Sequence, residues 1–297
     1  MLAHAQANAR GPARVVIRGA GGFIAGAIAR RLEADGIPLL KLRRPEHDLL
    51  APGAADKLAM TLQAGDALVF ASAKAPCRDL AMLRDNLAMA ETACAALKAR
   101  PVAHLVYISS DAVYRDSKEP LTEASCAEPG SLHGAMHLAR EVALREAHPG
   151  PLAIVRPTLV YGLDDPHNGY GPNRFRRLAA EGKEIVLFGE GEERRDHVDV
   201  ADVAELVRRI LLHRSSGIAN AVSGEVASFR EIAEFVAAGF APRVALKGSP
   251  RSGPMPHGGY RPFDNRAVLA ALPGFRFKPW REGLAAIHAR MKQPPTR

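Results

Sequence analysis

Residues 14–26 read Arg14-Val15-Val16-Ile17-Arg18-Gly19-Ala20-Gly21-Gly22-Phe23-Ile24-Ala25-Gly26. The β-branched run in front predicts a short buried strand, and the segment from Phe23 to Leu32 carries a helical period. Between them Gly19, Gly21 and Gly22 permit a tight turn and a close backbone approach to a pyrophosphate, whose charge a helix N-terminus attracts. The same glycines would also serve a plain helix-packing turn, so the pattern of the chain beyond residue 33 decides between the two.

Four further apolar runs occur, at residues 38–42, 67–71 (ALVFA), 104–109 (HLVYIS) and 152–155 (LAIV). Helix-period segments separate them, weak at 54–62 and stronger at 80–97 and 132–147. Short strands alternating with helices require crossovers, and therefore predict an α/β, doubly wound parallel sheet of the Rossmann type. Past Arg156 the chain is richer in Gly and Pro. We divide it into a dinucleotide-binding domain at 12–160 and a smaller C-terminal substrate-binding lobe at 161–297, interleaved with late sheet elements. The ligand crevice is expected between them. The stripe Val203, Leu206, Val207, Ile210, Leu211 is core packing.

At 47% hydrophobic and 24% charged, the composition excludes disorder, and no apolar run is long enough to span a bilayer. Lys and Arg exceed Asp and Glu by 40 to 32, a net charge of +8. The basic residues lie along helical stretches without interleaved aromatics, which favours solvated faces over a nucleic-acid partner. The surplus also helps to capture a small phosphate-bearing ligand. Cys77, Cys94 and Cys126 lack metal-ligand spacing, and no secretory core opens the chain; both fit a reducing cytoplasm.

The glycine loop, read as GxxGxxG with Ala25 in the third place, resembles that of the extended short-chain dehydrogenase/reductase superfamily, the NAD-dependent epimerase/dehydratase group. Further matches occur in order: Asp48-Leu49, Ala71-Ser72-Ala73, Asn86, the serine strand Val106 to Tyr114, Arg156-Pro157-Thr158-Leu159-Val160-Tyr161-Gly162, and Gly189-Glu190-Gly191 through Arg195-Asp196-His197-Val198-Asp199-Val200, similar to a GdGxxxRDfvhV block. The resemblance implies a cofactor set of Gly19, Gly21, Gly22, Phe23, Ile24, Asp48, Leu49, Ala71, Ser72, Ala73, Asn86, His137 and Pro157. Its implied substrate contacts are Ser110, Asn173, Arg195 and Arg261, with Arg195 on an anionic part of the substrate. At the end of the second strand, where an acidic residue would favour NAD, the chain has Arg43 and Arg44. A guanidinium takes the extra phosphate in bidentate fashion, so NADP is preferred to NAD.

The family's catalytic Tyr-x-x-x-Lys is replaced by His133-Gly134-Ala135-Met136-His137. In one reading His133 takes over as proton donor or acceptor, Ser110 holds the substrate oxygen and His137 the ribose. In another, hydride chemistry is lost or relies on Asp111; Ala112 stands where the family's sugar dehydratases have Glu, so a 4,6-dehydratase is not supported. In a third the two histidines ligate a metal, against which no third ligand is evident. They could also merely fill space. The first reading makes the chain an NADP(H)-dependent oxidoreductase for a carbonyl/alcohol pair, on a nucleotide-linked sugar. The alternatives are a nucleotide-sugar epimerase with retained cofactor and a non-catalytic dinucleotide-binding protein. The helices near 80–97 and 132–147 are the expected homodimer contact. His257 and Tyr260, beside Arg261, are further candidates for reaching the crevice.

Overall fold

The structure is a computed structural model that describes residues 2–291. Its first half runs β1 (Ala3–His4), β2 (Arg14–Arg18), α1 (Phe23–Glu33), β3 (Leu39–Leu42), α2 (Ala54–Thr61), β4 (Asp66–Phe70), α3 (Leu80–Ala99), β5 (His104–Ile108), α4 (Leu132–Ala147) and β6 (Leu152–Pro157). It continues with β7 (Leu159–Tyr161), α5 (Pro172–Ala180), β8 (Ile185–Phe188), β9 (Arg194–Asp199), α6 (Val200–Leu212), β10 (Ser215–Ala221), β11 (Val226–Ser228), α7 (Phe229–Ala238), β12 (Leu246–Ser249), β13 (Tyr260–Arg261), α8 (Arg266–Ala271) and α9 (Trp280–Met291).

Seven strands make the main sheet in the order β3-β2-β4-β5-β6-β10-β1, all parallel except β1, which runs antiparallel to β10. The strand order reverses at β2, whose neighbours β3 and β4 are reached by crossovers in opposite directions. Such a reversal opens a crevice at the carboxyl ends of the strands, where ligands of doubly wound sheets bind. Along β2, Val15 and Ile17 enter one core with α1 and α6, while Val16 enters the other with α2, α3 and α4. That is the period-2 alternation of a strand covered on both faces, and it explains why the strand reads as a continuous apolar run.

The boundary at residue 160 is not a clean one. β10 returns to the main sheet beside β6, and α6 packs on α1. β1 lies ahead of residue 12 and yet caps the sheet edge. The remaining late elements form a lobe with its own core around Tyr161, Phe175, Ile185, Phe229, Ile232 and Trp280. Its sheets are β11-β9-β13, with β7 on β9, and the pair β12-β8. The end of the expected lobe, 292–297, lies outside the described residues. Among those residues no helix is long and apolar enough to cross a membrane.

Helix α4 is fixed by consecutive residues. Glu141 accepts two hydrogen bonds from Arg156 on β6 (2.9 and 2.5 Å) and one from Ser109 Oγ (2.5 Å). The Arg156 and Glu141 side chains are only 4% and 1% exposed. Arg140 donates to the Ser72 carbonyl beyond β4 (2.6 Å) and lies over the Phe70 and Tyr107 rings. Breaking a buried pair strands the surviving charge. Glu141→Gln is therefore expected to cost about 3–5 kcal/mol of stability, read from the midpoint of urea unfolding.

Candidate functional site

The turn after β2 is built around Gly19, at φ +93°. A Cβ there would come within 2.9 Å of the Ser72 backbone nitrogen and Oγ, so the position needs glycine for conformation and space alike. A Cβ on Gly21 would meet no atom within 4 Å, which leaves its outer face open. Helix α1 begins at Gly22 with no side-chain cap and no acidic residue in its first turn. Its first N–H groups therefore face the crevice without a side-chain acceptor, and the helix dipole adds partial positive charge. Ser72 Oγ is buried without a partner at the same place. These features fit a dinucleotide pyrophosphate.

Two clefts meet at this loop. One, of about 340 Å³, is lined by Gly21, Gly22, Phe23, Arg30, Lys41 and Arg43 among others. Arg43 and Arg44 are exposed, and among the described residues neither side chain forms a hydrogen bond or ion pair. Arg18, at the end of β2, is buried beneath them and donates to the carbonyls of His47 and Leu42. Burial lowers its pKa to about 10, an effect that the Asp48 charge opposes. Asp48 Oδ1 accepts from the Leu50 N–H (3.0 Å), and Leu49 is a core residue.

The second cleft, of about 440 Å³, runs from Phe23, Ile24, Ala71 and Ala73 past His133 to Asn173 and His197. His133 stands on the first turn of α4, which is capped by Ser131 Oγ at the Gly134 N–H (3.2 Å). Gly134 lets that turn press against the turn at 111–113: a Cβ there would collide with the Ala112 carbonyl oxygen. His133 Nδ1 accepts from the Cys77 N–H (3.3 Å), which puts the proton of the neutral ring on Nε2. Burial lowers the His133 pKa, against a raising influence from Asp111.

His137 lies differently from the expectation. It is buried away from both clefts, and its Nδ1 shares a 2.7 Å hydrogen bond with Tyr107 Oη. Burial first, then the neighbouring His133 and Arg140, push its pKa well below the ordinary value. A short imidazole does not reach where a long ammonium stem would. The two rings meet edge-on at 4.7 Å. Among the described residues no cluster of three or more His, Cys, Asp or Glu is arranged to hold a metal ion.

With this geometry, the comparison with known proteins is direct. The model of the NAD dependent epimerase/dehydratase family matches residues 15–222. The chain belongs to that family. The dTDP-L-rhamnose 4-epimerase of Burkholderia thailandensis is 34% identical over 139 residues, 43% of this chain but only 38% of that protein's length. UDP-glucose 4-epimerase of Thermus thermophilus, solved in complex with NAD, superposes with a TM-score of 0.81 at 22% identity, covering 94% of this chain and 99% of that one. RMD from Pseudomonas aeruginosa, complexed with NADPH, gives 0.78 at 23% identity over 93% and 98%. At these identities the structural likeness establishes the Rossmann fold.

Within this epimerase/dehydratase chain, several expected contacts are spent internally. Asn86 is fully buried and clamps Lys74 through three hydrogen bonds at 2.9 Å to Lys74 N, Lys74 O and Met82 O, so it shapes the loop after β4 without lining either cleft. Arg261 is 1% exposed, and its donors go to Asp111 Oδ2 (3.0 Å), the Asp111 carbonyl (2.7 Å) and Asp116 (2.5 Å). It is a strut beneath the site, not a substrate contact. His257 joins Asp116 in the same cluster, and neither His257 nor Tyr260 lines the second cleft. Asp111 is paired with Arg261 (3.0 Å) and lies 3.9 Å from Arg195.

Arg195 is buried against Glu193 (3.3 Å) and Asp111 and lines neither cleft. Ser110 Oγ accepts from the Ala112 N–H (3.2 Å), and the residue is 9% exposed. Pro157 is buried at the end of β6. Asn173 does line the second cleft, its Oδ1 anchored by the Gly162 N–H (3.1 Å). Two groups were missed in the sequence, Arg18 and His197. The signal for His197 was present, since it stands where the matched block carries an aromatic residue. Gly19→Val is expected to abolish dinucleotide binding, read by fluorescence titration with NADPH, because valine is strained at φ +93° and its Cβ would clash with Ser72 there.

Proposed function

We propose that this chain is an NADP(H)-dependent oxidoreductase for a carbonyl/alcohol pair carried on a nucleotide sugar. The observation that supports it most is His133: a half-buried ring on the wall of the cleft beside the glycine loop, held by the Cys77 N–H with its Nε2–H available. The bound dinucleotide supplies the hydride donor or acceptor. The Gly21 and Gly22 backbone and the uncapped N-terminus of α1 hold the pyrophosphate, and Arg43 and Arg44 take the additional phosphate. His133 donates a hydrogen bond from Nε2 to the substrate oxygen and stabilises the charge that develops there as hydride reaches the carbonyl carbon, and solvent water delivers the proton that completes the alcohol. Asn173, fixed through its Oδ1, presents its amide to the same cleft. His137 acts through Tyr107 as a positioning residue.

His133→Ala is expected to slow NADPH oxidation with keto sugars on the order of 10²-fold while leaving NADPH affinity intact. The double variant Arg43→Ala/Arg44→Ala should weaken NADPH roughly tenfold and hardly change NADH. Because burial depresses the His133 pKa, the ring stays neutral to more acid pH than an ordinary histidine, so any inflection that its protonation causes in the rate profile should lie below pH 6.5. Absence of NADPH consumption across a broad panel of keto sugars and ketones would sink the catalytic reading. A second reading, epimerisation on retained cofactor, is favoured by the partial match to a rhamnose epimerase. It calls for protein that purifies with nucleotide bound, visible in its absorption spectrum.

We further propose that the chain pairs with a second copy through α3 and α4. These helices pack together, and a groove of about 730 Å³ opens between them, lined by Leu80, Leu83, Leu87 and Ala143. Leu80 is 72% exposed and Val142 48%, unusual for large apolar side chains on a monomer's surface. Sedimentation should report a dimer, and Leu80→Glu/Val142→Glu a monomer.

A further inference from the structure

His197 on β9 is not among the groups assigned so far. It is 1% exposed, yet it forms part of the wall of the cleft that contains His133. Its Nδ1 lies 3.1 Å from the Arg195 carbonyl oxygen, which can only accept, so Nδ1 carries the proton. Nε2 is then a bare acceptor, and among the described residues it has no partner. Phe229 packs edge-on against the ring at 5.5 Å and holds its plane. Beside it stands Gly171, another residue of the cleft wall, whose absent Cβ would lie 4.0 Å from Nε2, so no side chain at 171 fills the space next to that buried nitrogen.

An unpaired buried acceptor costs free energy unless something supplies a donor. We propose that His197 Nε2 is a specificity-determining contact that accepts a hydrogen bond from a hydroxyl of the sugar moiety bound in the cleft. The inference deepens the nucleotide-sugar reading above and rests on it. The ring is uncharged by construction: burial, reinforced by the Arg195 charge, lowers its pKa to about 3. It therefore distinguishes a hydroxyl from an anionic oxygen, which has no hydrogen to give, and from a deoxy carbon. His133 lines the same cleft with Nε2–H, so a neutral donor stands on the wall with this neutral acceptor, alongside Asn173, His167 and the Asp165 carboxylate.

Ring-nitrogen NMR of the ¹⁵N-histidine-labelled chain at neutral pH, with His197 assigned by difference from His197→Gln, tests the tautomer without any ligand. A protonated Nε2 overturns the proposal. UDP-glucose and dTDP-L-rhamnose are then titrated in. At least one should shift the Nε2 resonance, and His197→Phe should weaken that nucleotide sugar on the order of tenfold while UDP and dTDP bind as before. If neither nucleotide sugar moves the resonance, the proposal is overturned. NADPH binding and oxidation, read separately, decide the oxidoreductase reading, so the two failures are distinguishable.

Discussion

Helix α4 carries the residue on which the candidate chemistry turns, and two adjacent side chains hold it in place. Glu141 reaches the β6 arginine and the β5 serine, while Arg140 reaches the loop after β4. A single helical step thus ties together three consecutive strands of the sheet at their carboxyl ends. The pair with Arg156 is nearly solvent-free. In such surroundings its worth lies in geometry more than in net stability, because desolvation consumes much of the attraction. Among the described residues Arg140 has no carboxylate partner; it donates to a carbonyl and lies over two aromatic faces, while its Nε has no hydrogen-bond partner.

That clamp fixes α4 independently of His133 and His137, the two residues that the sequence resemblance sets against the family's Tyr and Lys. The ring at 133 stays on the cleft wall because the turn below it is pinned through Gly134 against the Ala112 carbonyl. The ring at 137 sinks to Tyr107 instead, where its own burial keeps it neutral. A second buried charge on the helix face beside Arg140 would be costly, and a neutral imidazole avoids that cost.

Beneath the cleft, charge is arranged in closed pairs. Asp111, Asp116, Arg195 and Arg261 are tied to one another and line neither cleft, while the second cleft carries His133, His197 and Asn173 together with Asp165 and His167. Arg43 lines the outer cleft and Arg44 follows it, and among the described residues neither is ion-paired. Arg30, Lys41 and Arg43 thus line the outer cleft, and among the described residues the second cleft has no Lys or Arg.

The sequence by itself determined the strand–turn–helix at 14–33, the alternating α/β order, the family membership and the pair of histidines. All of these follow from short-range periodicity or from residue types at fixed spacing. Which arginines are free and which are spent could not be read there, because an ion pair such as Asp111–Arg261 joins residues 150 positions apart. Likewise Asn86 and His137 are named by motif, but their partners Lys74 and Tyr107 are supplied by packing across elements. The open acceptor of His197 exists only because Arg195 takes its other nitrogen and Gly171 leaves space beside it. Hydrogen-bond saturation of a buried polar group is a property of its surroundings, and only the tertiary structure decides it.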